Sequence, residues 1–227
     1  MYPSGGFNEG ETHKMLPKGV TRHITRIPMK DGSYEVISRM SDAVEDAARL
    51  LADIRDLGVI AFACTAGSFI GGKGYDQGIV DRIIAATGLP AITMVTSVVD
   101  GLRILGIQKL VMLTPYKERM TRLEKKFLED EGFEVLDYQC LGLDDITEQN
   151  RIEPERWYRM ALDMQNPEAD GYLLSCGGMR VVSVIERLET ELRKPVITSN
   201  QATLWRCLRI TGYQKPVKGF GRLMMTP

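Results

Sequence analysis

Val59-Ile-Ala-Phe-Ala-Cys64-Thr-Ala-Gly-Ser68 is an apolar run that ends on a cysteine followed by small residues, and Tyr172-Leu-Leu-Ser-Cys176-Gly-Gly178 repeats this pattern. A short continuous apolar run is typical of a buried strand in a parallel sheet. Each run is followed by a helical pattern and then by a strand that opens with proline, Pro90-Ala-Ile-Thr93 or Pro195-Val-Ile-Thr198. The same landmarks in the same order predict a duplicated fold with one thiol in each half.

Strand and helix patterns alternate along almost the whole chain. We predict strands over residues 59–64, 91–95, 109–114, 134–139, 171–175 and 196–198. We predict helices over residues 42–57, 75–87, 97–105, 117–131, 154–164, 180–193 and 203–211, with Ser41 and Ser97 as N-caps and loops at 5–10 and 71–78. Repeated βα units indicate parallel sheets covered by helices, so the predicted fold class is α/β. The charged helix face that includes Glu118, Glu124 and Lys125 is predicted to be solvated.

The composition excludes several classes of protein. The chain has 227 residues, a net charge of −1 and a pI of about 6.2, so it lacks the basic surface that nucleic-acid binding requires. No apolar run is long enough to span a bilayer, and the start of the chain lacks the pattern of a signal peptide. The four cysteines have no CxxC spacing and there are two histidines, which argues against a zinc site or a disulfide framework. We expect reduced thiols and a cytoplasmic protein.

Two of the cysteines are candidates for catalysis. Ligands of parallel α/β folds gather at the carboxyl ends of the strands, where Cys64 and Cys176 are both predicted to lie. Either cysteine alone is read as a small buried hydrophobic residue, but two at equivalent positions of a repeat favour function. A helix that starts at each thiol is expected to lower its pKa and to favour the thiolate. Cys140 and Cys207 are interpreted as structural.

The small residues beside each thiol offer hydrogen-bond donors. The turns Thr65-Ala66-Gly67 and Gly177-Gly178 expose backbone N–H groups that can bind a carboxylate and stabilise an enediolate, although such glycines also make tight turns. Tyr116 ends another strand at the same edge and can donate its phenol O–H. Asn150 is a further polar candidate, as are Thr198, Ser199 and Asn200, of which Ser199 and Asn200 can equally serve only to start the last helix.

Taken together, these motifs resemble the aspartate/glutamate racemase superfamily, and within it the maleate cis–trans isomerase and arylmalonate decarboxylase branch. The resemblance covers nearly the whole chain. It is carried by Ala63-Cys-Thr-Ala-Gly-Ser68, Gly88-Leu-Pro90, Leu113-Thr-Pro-Tyr116, Leu174-Ser-Cys-Gly-Gly178 and Gly219-Phe-Gly-Arg-Leu223.

The resemblance implies two pseudo-symmetric Rossmann-like subdomains, each a short parallel sheet flanked by helices, with the active site in the cleft between them. We predict residues 1–98 plus 205–227 in one subdomain and 99–204 in the other. The resemblance further implies a small carboxylate as substrate, no cofactor and no metal, and is compatible with a homo-oligomer. Cys64 and Cys176 are its catalytic thiols, and the substrate is bound by six residues: Thr65, Ala66, Tyr116, Asn150, Gly177 and Gly178.

The chain also departs from this pattern. It starts at Met1-Tyr-Pro-Ser4, so the apolar first strand of the family is nearly absent, and Gly5-Gly6 stands where isomerases carry an asparagine, with Asn8 displaced. The leading hypothesis is a two-cysteine isomerase most like maleate cis–trans isomerase. The alternatives are an arylmalonate-type decarboxylase, which needs Cys176 alone, an amino-acid or hydantoin racemase, a non-catalytic carboxylate-binding protein, and a poorly folded product.

Overall fold

The structure is a computed structural model, and it describes residues 1–5 and 8–227. Gly6 and Phe7, and the side chain of Asn8, lie outside the described part, and with them the departure from the family pattern noted at Gly6 and Asn8. The strands are β1 (Tyr2–Pro3), β2 (Arg26–Ile27), β3 (Ile60–Phe62), β4 (Ala91–Thr93), β5 (Lys109–Thr114), β6 (Glu134–Cys140), β7 (Gly171–Leu174) and β8 (Val196–Thr198).

The helices lie between and after these strands. They are α1 (Asn8–Met15), α2 (Tyr34–Ile37), α3 (Val44–Ala52), α4 (Thr65–Phe69), α5 (Tyr75–Thr87), α6 (Met94–Ile104), α7 (Glu118–Asp130), α8 (Ile146–Arg151), α9 (Pro154–Asp163), α10 (Ile185–Leu192) and α11 (Ser199–Ile210). Short 3₁₀ turns cover Met40–Ala43, Val182–Val184 and Arg222–Met225.

All strand pairs in the described part of the chain are parallel, and the two halves have the same strand order. The second half is a four-stranded sheet in the order β6-β5-β7-β8. In the first half, β1 pairs with β2 and β3 pairs with β4. Two backbone hydrogen bonds join β1 to β3, from Met1 N to Ala61 O at 2.7 Å and from Ala63 N to Met1 O at 2.8 Å. The first half therefore reads β2-β1-β3-β4, which confirms the predicted duplicated α/β fold.

Apolar strands and one-sided helices explain this arrangement. Residues 110–113 of β5 are fully buried because helices cover both faces of the larger sheet. The smaller sheet packs Ile60 and Phe62 against Val44 and Ile83 of the flanking helices α3 and α5. In both halves the third strand of the sheet, β3 or β7, ends directly beside a cysteine, and these two strand ends position the site.

Several predicted boundaries are wrong. The helix over 42–57 ends at Ala52, and Asp56 beyond it takes a left-handed backbone with φ of 60°. Ser41 does not cap that helix, because the helix begins only at Val44, and the Ser41 hydroxyl instead accepts a hydrogen bond from Tyr75 at 2.8 Å. Ser97 does not cap α6, since the helix already begins at Met94.

Threonines at the ends of strands take the capping role instead. Thr93 and Thr198 have extended backbones, and each side chain accepts a backbone N–H three residues further on, at 3.1 and 3.2 Å. The last helix therefore starts at Ser199 rather than at 203. The region predicted as a loop at 5–10 enters α1 at Asn8, and the first strand is present as β1.

Helices α6 and α11 follow the equivalent strands β4 and β8 and pack against each other, which joins the two halves. The division into 1–98 plus 205–227 and 99–204 stays a prediction. In the tail, the backbone N–H groups of Gly219 and Arg222 donate to the carboxylates of Glu186 and Glu189 on α10. No helix within the described ranges is both long enough and apolar enough to cross a membrane.

Candidate active site

A small cavity lies between the two cysteine turns. Its volume is about 40 Å³, which suits a small molecule or a few waters. The structure places all eight predicted site residues on its walls: Cys64, Thr65, Ala66, Tyr116, Asn150, Cys176, Gly177 and Gly178. The other lining residues are Pro3, Met29, Gly32, Ile37, Ala63, Ile146 and Gln149. The thiols of the two halves therefore open into one shared space, as the duplication predicted, while the roles of these residues stay a proposal.

The first thiol sits at the start of α4. Cys64 has an extended backbone, and its Sγ accepts the N–H of Gly67 at 3.3 Å, so the thiol itself caps the helix. A Cβ on Gly67 would lie 3.2 Å from that sulfur, which explains why a residue without a side chain stands there. On its other side the thiol donates to Sδ of Met40 at 3.7 Å.

Burial decides the protonation state of this thiol. Cys64 is 8% exposed, and loss of water raises its pKa to about 12. The N–H groups of Gly67 and Ala66 act in the opposite direction but do not offset the burial. The expectation that the helix start favours a thiolate is therefore wrong. Cys64 is a neutral thiol at neutral pH.

The second thiol lies in a turn just after β7. The Sγ of Cys176 accepts the N–H of Gly178 at 3.2 Å and lies 4.0 Å from the Oε1 of Gln149. Burial raises its pKa to about 11, against hydrogen bonds from the Tyr116 hydroxyl and the Gly178 N–H that lower it. The charge of Cys176 raises the pKa of Cys64, so the two thiols are close enough to interact electrostatically.

Tyr116 is a neutral donor in this pocket. It follows β5, is 6% exposed, and its ring meets that of Phe69 edge-on at a centroid distance of 6.4 Å. Burial, followed by the charge of Cys176, raises its pKa well above the usual value, so the phenol keeps its proton at neutral pH. A phenol held in this state can donate to a carboxylate or to an enediolate oxygen.

Asn200 holds the backbone of the second turn, and Asn150 lies against that turn while it bonds to the start of the chain. The Nδ2 of Asn150 donates to Gly5 O at 3.1 Å, and the Nδ2 of Asn200 donates to Gly177 O at 2.9 Å. The buried Oδ1 of each has no hydrogen-bond partner among the described residues. A Cβ on Gly178 would lie 2.5 Å from the Oδ1 of Asn150, so only glycine allows this close approach.

Among the described residues that line the cavity there is no lysine, arginine or histidine. A bound carboxylate would therefore be held by neutral donors: backbone amides, the phenol of Tyr116 and the side-chain amides. The first-turn amides of a helix have no acceptor within the helix, which makes the start of α4 suitable for this role. The hydroxyl of Thr65 is directed away from this task, because it donates to Ser199 Oγ at 3.1 Å and lies 3.0 Å from Met94 Sδ.

Two groups of lining residues were missed by sequence reasoning. Gln149 comes from α8, a short helix that we did not predict, although Asp145 caps it by accepting the N–H groups of Thr147 and Glu148 at 2.7 and 3.1 Å. An aspartate followed three residues later by glutamate is a recognisable start signal. The second group is apolar, with Met29, Ile37 and Ile146 among its members, and has no local signal because long-range packing brings it to the thiols.

Two short parallel sheets with the same strand order, each presenting one buried thiol to a shared cavity, define a protein of the aspartate/glutamate racemase type. Within that class, the chain belongs to the arylmalonate decarboxylase family, whose family model matches residues 4–224.

The similar proteins are of two kinds, arylmalonate decarboxylases and maleate isomerases. The chain is 30% identical over 185 residues to an arylmalonate decarboxylase of Bordetella bronchiseptica, and the match covers 80% of this chain and 77% of that one. It is similar to the crystal structure of the maleate isomerase Iso from Pseudomonas putida S16, with a TM-score of 0.95 and 28% identity over 99% of this chain and 96% of that one. It is also similar to a Nocardia farcinica maleate cis–trans isomerase in which a cysteine is replaced by serine and a succinylcysteine intermediate is covalently bound, with a TM-score of 0.94 and 26% identity over 99% and 96% of the chains.

Proposed function

We propose that the chain is a cofactor-independent two-cysteine isomerase of a small dicarboxylate, most like maleate cis–trans isomerase. The observation that carries the proposal is the pair of buried thiols, Cys64 and Cys176, on the walls of one small cavity. The structural similarity to a maleate isomerase with a covalent cysteine intermediate supports the same assignment. A decarboxylase mechanism would leave the first thiol without a role.

The reaction starts from a thiolate at Cys64 and a thiol at Cys176, so one of the two protons that the thiols hold at rest is first released to solvent water. Once the pair has lost that proton, the sulfur of Cys64 adds to one alkene carbon and the C=C electron pair moves towards the neighbouring carboxylate as an enediolate. Cys176 then donates its proton to the neighbouring carbon. The former double bond is now single and rotates. The Cys176 thiolate takes a proton back from that carbon, the C–S bond breaks, and the electron pair returns to Cys64 as the trans isomer leaves.

The remaining lining residues bind and stabilise the substrate. We assign carboxylate binding to the amides of Thr65, Ala66, Gly177 and Gly178, to the phenol of Tyr116 and to the amide of Asn150. These residues bind an anion through neutral hydrogen-bond donors and not through a salt bridge. The same donors can stabilise the negative charge on the oxygens of the enediolate.

An arylmalonate-type decarboxylase is the second candidate. The family model and the Bordetella relative favour it. In that reaction the same donors stabilise an enediolate after CO₂ leaves, and Cys176 protonates one face of it. This chemistry needs no thiol at Cys64, so the two candidates are separated by that residue.

Proton NMR in deuterated water separates the candidates. The wild type is incubated with maleate and, separately, with an aryl-substituted malonate. We expect fumarate from maleate, and loss of that activity in both Cys64→Ala and Cys176→Ala. The control is Cys140→Ala, which removes a thiol outside the cavity. Full maleate turnover by Cys64→Ala, or conversion of the malonate alone, would contradict the isomerase proposal.

The cellular setting is part of the proposal. The four cysteines are all unpaired, which supports a reducing compartment and a cytoplasmic location. We further propose a homo-oligomer, by analogy with the family, and the division of the chain into residues 1–98 plus 205–227 and residues 99–204. Measurements of molecular mass in solution test the oligomer.

A further inference from the structure

A continuous row of buried hydroxyl groups runs beneath the two thiols. The hydroxyl of Thr65, the residue after Cys64, donates to Ser199 Oγ at 3.1 Å. Ser199 Oγ lies 3.5 Å from the Oγ of Ser175, the residue before Cys176. These hydroxyl-bearing residues are at most 1% exposed. The row therefore links the first cysteine turn to the second through the interior of the molecule.

The row ends on a buried carboxyl group. Ser175 Oγ donates to Oε1 of Glu124 on α7, and Glu124 is fully buried. Its Oε2 has no hydrogen-bond partner among the described residues. The expectation that Glu124 belongs to the solvated face of its helix is therefore wrong, although the half-buried Lys125 and the exposed Glu129 of α7 do form an ion pair there.

Such a site favours the neutral form of the acid. A carboxylate in an apolar interior loses its hydration, and a single hydroxyl donor does not replace it. Burial accordingly raises the pKa of Glu124 to about 8, against a smaller lowering by the hydrogen bond from Ser175. At pH 7 the group is mostly a carboxylic acid.

We propose that Glu124 is a positioning residue that holds Ser175 and the Cys176 turn in place and, while it is protonated, keeps an additional negative charge away from the thiols and the bound anion. The part of this inference that concerns substrate rests on the proposed function, whereas the part that concerns thiol reactivity does not. Nothing in either reaction requires Glu124 to touch the substrate.

Few ionisable groups face the carboxyl of Glu124 from the neighbouring elements. After β5 comes Tyr116 and after β7 comes Cys176, and the charge of Glu124 raises the pKa of both. Helix α4 carries no ionisable side chain. From β6, Cys140 instead donates to Glu118 at 3.2 Å, one and a half turns away on α7. Ionisation of Glu124 therefore acts chiefly on the phenol and the second thiol.

The consequence is a pH dependence with a definite sign. As the pH rises through about 8, Glu124 ionises and its charge opposes formation of the Cys176 thiolate. In Glu124→Gln the acceptor for Ser175 remains but the charge cannot form. The thiol of this variant should therefore react faster than that of the wild type at alkaline pH and equally fast at pH 6.5.

Alkylation of Cys176 by iodoacetamide, followed by peptide mass spectrometry between pH 6.5 and 10, tests the inference without any turnover. We expect the rate of Glu124→Gln at pH 9.5 to exceed that of the wild type about threefold, because only in the wild type does a charge at Glu124 raise the pKa of the Cys176 thiol. Glu129→Gln, which removes an exposed carboxylate from the same helix, should match the wild type. Identical pH profiles for Glu124→Gln and wild type would overturn the proposal.

A second variant decides the question if Glu124→Gln does not fold. The hydrogen bond from Ser175 lowers the pKa of Glu124, so Ser175→Ala should move the break in the wild-type alkylation profile to higher pH. An unmoved break would overturn the proposal. With maleate as substrate, the KM of the wild type should rise above pH 8 while that of Glu124→Gln stays level. Failure to turn over maleate, with the alkylation difference intact, would refute the proposed function and leave the role of Glu124 standing.

Discussion

Replacing Glu124 by glutamine should make the protein more stable at alkaline pH and leave its stability almost unchanged in acid. The folded-state pKa of this carboxyl is about 8, against an ordinary value of 4.5, because burial penalises the charged form. A raised pKa means that the folded state holds a proton that the unfolded state releases. The associated stability is fully present below pH 4.5 and is lost as the pH rises to about 8.

The size of the effect follows from this difference in pKa. Each pH unit between the two values costs the wild type about 1.4 kcal/mol of unfolding free energy, and the total approaches about 5 kcal/mol. Glutamine does not titrate, so at this position the variant loses no unfolding free energy over this pH range. The difference in unfolding free energy between variant and wild type should therefore widen by about 4 kcal/mol between pH 5 and pH 8.5.

Urea unfolding followed by circular dichroism at the two pH values measures this difference. The exposed Glu129→Gln variant controls for removal of a carboxylate from α7 and should follow the wild type at both pH values. A constant offset between Glu124→Gln and wild type, whatever its size, would mean that Glu124 does not titrate in this range in the folded protein. The account of the buried acid would then be refuted.

Three further substitutions probe the site and its supports. Gly178→Ala places a Cβ 2.5 Å from the Oδ1 of Asn150. We expect displacement of that amide to lower kcat/KM roughly tenfold, which is about the contribution of one hydrogen bond, and an unchanged kcat/KM would refute the substrate-binding role of Asn150. Tyr116→Phe removes a hydrogen bond that lowers the pKa of Cys176, so alkylation of that thiol should slow at fixed pH, and a faster rate would contradict the assignment. Thr198→Ala removes the cap of α11 and should cost about 1 kcal/mol in urea unfolding, with no loss if the cap is unimportant.

The placement of both thiols on one cavity could be predicted from the sequence, because it depends on a local pattern that occurs in each half. An apolar strand, a cysteine and small residues define a strand-to-helix turn, and parallel strands bring such turns to one edge of a sheet. The helix over 75–87 was likewise predicted at both ends, since Gly88 adopts the left-handed backbone that terminates it, with φ of 70°. These features need only neighbouring residues to be recognised.

Features that depend on burial could not be predicted in the same way. The helix start beside Cys64 suggested a lowered thiol pKa, but the loss of water dominates, and no local pattern reveals how deeply the turn is covered. Glu124 stands among charged residues in the sequence, yet the turn of α7 carries it inward to Ser175. Met40 reaches the first thiol from a segment 24 residues earlier. Each of these depends on contacts between distant segments.

Mass spectrometry of the Cys176→Ser variant after incubation with maleate tests most directly whether the two thiols serve one bound molecule. With the second thiol gone, the enediolate formed by addition of Cys64 takes its proton from solvent water, and no thiolate is left to remove that proton again. The adduct should therefore persist, and we predict one succinyl group per chain on the peptide that contains Cys64. The Cys64→Ser variant should carry none. Absence of the adduct, or its appearance on a cysteine outside the cavity such as Cys140, would contradict the account.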